Sequence, residues 1–256
     1  MRLSILGCGA ISSELVAFAA KEPGIQAIRL FDLVPKKASE LARTTKKATV
    51  AKRGDELLSD AEFFIEAASQ DAAREWLPKA VEAGLPVLTM SLGALSDDAF
   101  FKRLVETARR KGSKIYLPSG AVCGVDGLKA GALAGIKSVT LVTTKPPAAL
   151  GLQVDKWTLV FDGTAREAVK KFPQNVNVAA VLSIAGIGFD QTRVQVVADP
   201  LATRNQHKII IEGAFGRIKV EVENLPSPSN PKTSHLASLS AIATLKRLLE
   251  PVQLGA

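Results

Sequence analysis

Two glycines two apart, Gly7 and Gly9 in the run GCGAIS, stand between a strand-like segment (RLSIL, residues 2–6) and a helix-like one (AISSELVAFAAK, 10–21). The first glycine of such a pair allows a tight turn, and the second lets backbone approach a phosphate closely. The free N–H groups and positive dipole end of the following helix then favour an anion. Gly7, Gly9, Ala10 and Ile11 are therefore candidate binding positions that act through their backbone. Ser12 occupies the place of a third glycine, which serves only close helix–strand packing, and a small serine can fill it. Asp32 closes the next strand-like stretch (QAIRLFD, 26–32), at the spacing of an acid that binds ribose hydroxyls. Strand, glycine pair, helix, strand and terminal acid together predict a dinucleotide site. Lys36 and Lys37 follow Asp32 and suit either a 2′-phosphate or a solvated helix start, so NAD and NADP both stay open.

Histidine is scarce: His207 and His235 are the two in the chain, the side-chain type whose ordinary pKa suits a proton shuttle near neutrality. His235 opens a C-terminal helix pattern and reads as a surface residue near its cap. His207 shares one face of a strand pattern with Asn205, Ile209 and Ile211 by period two. That placement fits a core histidine or one at the edge of a site. Cys8 and Cys123 have no histidine near them in sequence, and neither HExxH nor paired CxxC spacing occurs, so no metal is expected. The GxSxG elbow of an α/β-hydrolase is absent as well.

These residues need a scaffold, and the pattern predicts one. Strands at 2–6, 26–32, 48–51, 62–69, 86–91 and 114–117 alternate with helices at 10–21, 35–44, 71–83 and 97–111. Such alternation specifies a Rossmann-type, doubly wound parallel sheet over residues 1–120. After LPSGAVCG the rhythm changes. Strands at 137–145, 157–162, 192–198, 206–212 and 217–223, with helices at 164–171 and 177–185, predict a second α+β domain with a mixed sheet over 121–232. The turn GAFG joins its last two strands as a hairpin. The proline-rich LPSPSNPKTS breaks this pattern before a helix at 233–249, whose apolar stripe (Leu236, Leu239, Ile242, Leu249) is expected to pack back on the first domain.

A length of 256 residues with 47% hydrophobic content supports two modest cores. Apolar runs fall short of a membrane span, and the opening residues lack a signal-peptide layout. With two well-separated cysteines, a reducing cytoplasm is the expected location. The net charge of +8 raises nucleic acid as a partner, but the basic residues fall on predicted helix faces and only 5% of residues are aromatic, so bases would find little to stack on. The field is better suited to gathering small anions.

Several segments, in order, resemble the L-aspartate dehydrogenase family: GCGAIS, EAAS (66–69), LPSGAVCGVDGL (117–128), TTKPP (143–147), FPQNVNVAAVLSIAG (172–186), ADPLATRNQH (198–207) and VENLPSPSNPKTS (222–234). The resemblance spans essentially the whole chain and departs from the family's usual glycine at Ser12. It implies NAD- or NADP-dependent oxidative deamination of L-aspartate, through iminoaspartate to oxaloacetate and ammonia, with the imine able to feed pyridine-nucleotide biosynthesis. It implies a homodimer formed through the second domain. It matches His207 to the family's active-site histidine, and Ala121 and Asn177 to cofactor-contacting positions. Ala68 and Ser69, in the EAAS segment, are assigned to the cofactor site too. A substrate with two carboxylates needs cationic or N–H donors, and Lys145 and Lys232 are the candidates. Two other readings share the fold: a reductase of dihydrodipicolinate or homoserine-dehydrogenase type, and a non-catalytic dinucleotide sensor.

Overall fold

The computed structural model describes residues 1–172, 177–228 and 230–253, without the side chains of Pro231 and Lys232. The chain divides into two compact units, one of Met1–Pro118 with Ser238–Val252 and one built from Ser119–Ala237.

In the first unit, six strands, β1 (Arg2–Leu6), β2 (Ala27–Phe31), β3 (Ala48–Val50), β4 (Phe63–Glu66), β5 (Val87–Thr89) and β6 (Ile115–Tyr116), form a sheet of order β3-β2-β1-β4-β5-β6. Every pairing is parallel. The crossovers carry α1 (Ala10–Lys21), α2 (Pro35–Ala42), α3 (Gln70–Glu82) and α4 (Asp98–Lys111). Central strands covered on both faces read as continuous apolar runs, and β4 is buried along its whole length. Helix boundaries follow local chemistry: the Ser69 and Asp97 side chains accept from the backbone N–H groups of Ala72 and Phe100, and Gly112 ends α4 in a left-handed conformation. Strand order reverses between β1 and β4, and ligands of such sheets bind beyond the carboxyl ends of the strands at that reversal.

The second unit holds β7 (Ile136–Lys145), β8 (Thr158–Thr164), β9 (Thr192–Ala198), β10 (Asn205–Gly213) and β11 (Gly216–Asn224) in the order β11-β10-β7-β9-β8. Only β7 and β9 run parallel, so the sheet is mixed. The predicted hairpin is present between β10 and β11. One face buries Val139, Leu141, Val194, Val196, Ile209 and Ile211, with α6 (Ala165–Lys171) and α7 (Asn177–Ala185) packed against β9. The opposite face carries charge, including Arg193 paired with Asp162 at 2.6 Å and Lys208 with Glu221 at 3.4 Å.

Three local features differ from the sequence pattern. A helix, α5 (Val125–Ala132), follows the SGAVCG turn where none is predicted. A short ribbon of β12 (Pro226–Ser227) and β13 (Asn230–Ser234) occupies most of the proline-rich break. The last helix, α8, is His235–Arg247; of the expected stripe, Ile242 and, just beyond the helix, Leu249 pack against the core of the first unit, whereas Leu239 does not. Leu239 is 43% exposed, while Ala241 and Leu245 enter the core beside Leu15 and Ile28. Ser238 donates to the Glu14 carboxylate at 2.6 Å. The buried positions 238, 241 and 245 share a helical face that 239 does not.

Candidate functional site

The glycine turn is built around one conformation. Gly7 has φ +90°, and a Cβ there would lie 2.7 Å from the Ala67 carbonyl oxygen and 2.8 Å from the Ala68 Cα. No side chain fits, because the turn after β1 presses on the turn after β4. Gly9 is the residue before α1, and a Cβ there would meet nothing within 4 Å, so space lies in front of the helix N-terminus. Ala10 and Ile11 form the first turn of α1 and are half-buried. Ser12 does more than pack: it is fully buried and its hydroxyl donates to the Gly7 carbonyl at 2.6 Å. The serine thus pins the turn it was expected only to fill.

Asp32 spans two loops. One carboxylate oxygen accepts from the Cys8 N–H and the other from the Val34 N–H, both at 2.8 Å. Each oxygen retains a further lone pair for a ribose hydroxyl. Burial, then the Asp32 charge, pushes the Cys8 thiol up to about 12, so it is an inert filler in the turn. Lys36 is strongly exposed and reaches Glu40 at 3.8 Å.

Ala68 and Ser69 lie just after β4, and their N–H groups donate to one oxygen of Glu66 at 2.8 and 3.1 Å. The Ser91 hydroxyl donates to the same oxygen at 2.8 Å. Thr89 Oγ1 and the Ser91 N–H serve the other, the latter at 3.2 Å. Burial pushes the Glu66 carboxyl up, and the bonds from Thr89, Ala68 and Ser91 draw it back. Sequence reading missed Glu66, since the second glutamate of EFFIEAAS carries no sign of its partners.

In the second unit, the register pairs His207 of β10 with Thr143 of β7, which puts both side chains on the helix-covered face. Both are buried, and Thr143 Oγ1 lies 3.0 Å from His207 Nδ1. Lys145, two residues along β7 on the same face, is buried as well. Burial lowers the Lys145 ammonium from its ordinary value. Burial, and then the Lys145 charge, holds the His207 imidazole down to about 4. The histidine is therefore neutral at physiological pH. A small cavity of about 10 Å³ lies over this face, with Thr143 and Lys145 set among apolar Leu141, Ala179, Val194 and Val196. One hydroxyl and one cation in an apolar wall are donors of the kind that recognise an anion. Thr143, too, was missed from sequence.

Ala121 is buried, and its carbonyl accepts from the Asn224 side-chain amide at 3.1 Å. Asn177 is the exposed first residue of α7. Lys232 lies in β13, and its side chain falls outside the described residues. Among the described residues no cluster of His, Cys, Asp and Glu could hold a metal ion. Among the described residues, too, no helix is long and apolar enough to cross a membrane.

Against known proteins, residues 126–248 match the family model described as aspartate dehydrogenase, C-terminal. Residues 7–118 match that of the homoserine dehydrogenase NAD-binding domain. The chain is 47% identical over 271 aligned residues to the L-aspartate dehydrogenase of Methanosarcina barkeri, covering 100% of this chain and 99% of the relative. The chain belongs to the L-aspartate dehydrogenase family. The family's enzyme from Methanothermobacter thermautotrophicus is 40% identical over 259 residues, with 100% and 98% covered. A solved aspartate dehydrogenase from Thermotoga maritima superposes with a TM-score of 0.85 at 28% identity, covering 100% of this chain and 99% of that one. A myo-inositol dehydrogenase from Corynebacterium glutamicum, at 13% identity and TM-score 0.58 with 97% and 87% covered, shares the fold. The chain is an NAD(P)-dependent dehydrogenase. Its first unit fits that cofactor: the turn admits only glycine at Gly7, the helix start is open at Gly9, and Asp32 stands at the end of β2.

Proposed function

We propose that the chain catalyses the reversible NAD(P)-dependent oxidative deamination of L-aspartate, through iminoaspartate to oxaloacetate and ammonia. The observation that carries this reading is the buried trio of His207, Thr143 and Lys145 on one sheet face. Family membership and relatives named L-aspartate dehydrogenase support it.

Gly7, Gly9, Ala10, Ile11 and Asp32 would hold the dinucleotide through backbone N–H groups and one carboxylate, with Ala68 and Ser69 at the adjoining turn. When bound, the dinucleotide would supply a hydride acceptor for the substrate α-carbon. Lys145 would pair with a substrate carboxylate, a charge-assisted bond made stronger by its dry surroundings. With Nδ1 committed to Thr143, His207 would present Nε2 to the reacting centre, take a proton from the attacking water and return one to the departing amine. A carboxylate beside Lys145 would offset the lesser of the two causes that depress the histidine, the larger being burial. Ala121 and Asn177 would contact the cofactor, and Lys232 would serve a second carboxylate. The protein would work as a cytoplasmic homodimer, and its imine product would feed pyridine-nucleotide synthesis.

L-Aspartate-dependent reduction of NAD and NADP, run beside other amino acids and homoserine, tests the reading. Selective reduction with aspartate is expected, and His207→Ala should bind NADH normally while losing most turnover. Equal rates with homoserine, or near-normal turnover in that variant, would overturn it. Sedimentation of the purified protein checks the dimer.

A further inference from the structure

Glu66 is the fully buried last residue of β4, and five donors converge on its carboxylate. Two are the N–H groups of Ala68 and Ser69 in the turn after β4. The other three come from Thr89 and Ser91, at the end of β5. One buried group therefore ties together the two loops that leave adjacent strands at the carboxyl edge of the sheet. The 67–68 peptide is also the surface against which Gly7 packs, with no room for a Cβ. Movement of that peptide would change the surface against which the Gly7 turn packs.

We propose that Glu66 is a positioning residue for the dinucleotide cradle: its carboxylate fixes the 67–69 turn, and that turn fixes Gly7. This rests on the reading that the Gly7–Ile11 turn holds the cofactor. A glutamine would keep an acceptor for Ala68 and Ser69 only if its amide nitrogen took the other position. There it would face the Ser91 N–H donor to donor, and the Thr89 hydroxyl would have to turn round to accept. One end of the clamp is then lost while the side-chain volume is kept.

NADH binding, followed by fluorescence, and aspartate turnover at saturating cofactor would be measured for the wild type, Glu66→Gln, Ser91→Ala and Asp32→Ala, each with its thermal melt. In Glu66→Gln the NADH Kd should rise about tenfold, as expected when a buried charged hydrogen-bond network loses a member. The aspartate KM should stay within about twofold, and Ser91→Ala should show a smaller rise in Kd. A Glu66→Gln protein that melts lower yet binds NADH within about twofold of wild type would overturn the proposal, since a role in stability alone has that signature. If Glu66→Gln does not fold, Ser91→Ala decides alone: normal NADH affinity sinks the idea. Asp32→Ala is the control for the underlying reading. Unchanged NADH affinity there would mean that the cradle lies elsewhere, a failure distinct from that of Glu66.

Discussion

The hydroxyl of Thr143 lies 3.0 Å from Nδ1 of His207, across the paired strands β7 and β10. For Nε2 to accept a proton, Nδ1 must carry one and donate it to that hydroxyl, which as donor and acceptor alike accommodates the tautomer the proposed chemistry needs. Thr143→Val keeps the shape and removes the acceptor. We expect kcat to fall about tenfold or more with a shifted pH–rate profile, and Thr143→Ser to restore both. Unchanged profiles for the valine variant would show that the contact is packing only.

The same histidine links stability to pH. Its imidazole is held at about 4 in the folded protein against 6.5 when free, because burial, and then Lys145, disfavour the cation. As pH falls below 6.5 the unfolded chain takes up a proton that the native state refuses until about 4. The stabilisation is complete above the higher value and is lost as pH falls toward the lower. Going from about pH 7 to about pH 5, this group should remove about 2 kcal/mol. Urea midpoints at the two pH values measure it, and His207→Asn should flatten the difference.

Lys145 is the buried cation proposed to hold a substrate carboxylate. Lys145→Met keeps the volume and removes the charge, so the aspartate KM should rise about 10- to 100-fold while NADH affinity holds. An unchanged KM would take Lys145 out of the site.

The Gly7 turn makes a prediction about folding. Gly7→Ala forces a Cβ into the Ala67 carbonyl at a positive φ, and should cost about 3 kcal/mol or more, read as a fall in Tm. Ser12→Ala loses the bond to the Gly7 carbonyl and should cost about 1 kcal/mol. A Ser12→Ala melt equal to wild type would reduce that serine to filler.

Strand–helix rhythm was legible in the first 120 residues because each buried parallel strand is a local apolar run and each helix repeats on its own period. The glycine turn was legible because conformational demand there falls on one residue type. Other features were hidden. Helix α5, with sequence VDGLKAGA, holds two glycines that weaken its local signal, so contacts with α7 outweigh propensity. Helix α8 carries several leucines around its circumference, and only docking beside Leu15 and Ile28 chose the face that includes Ala241 and Leu245.

The sequence by itself determined the two-part architecture, the tight Gly7–Gly9 turn with Asp32 beside it, and His207 as the histidine to weigh. Backbone periodicity, turn chemistry and residue scarcity are properties of nearby or single residues. Only the tertiary structure decided what surrounds them. Glu66 meets donors 23 and 25 positions away, and His207 meets Thr143 across a separation of 64. Such partners are set by strand register and crossover topology, and their chemistry appears only once water is excluded from between them.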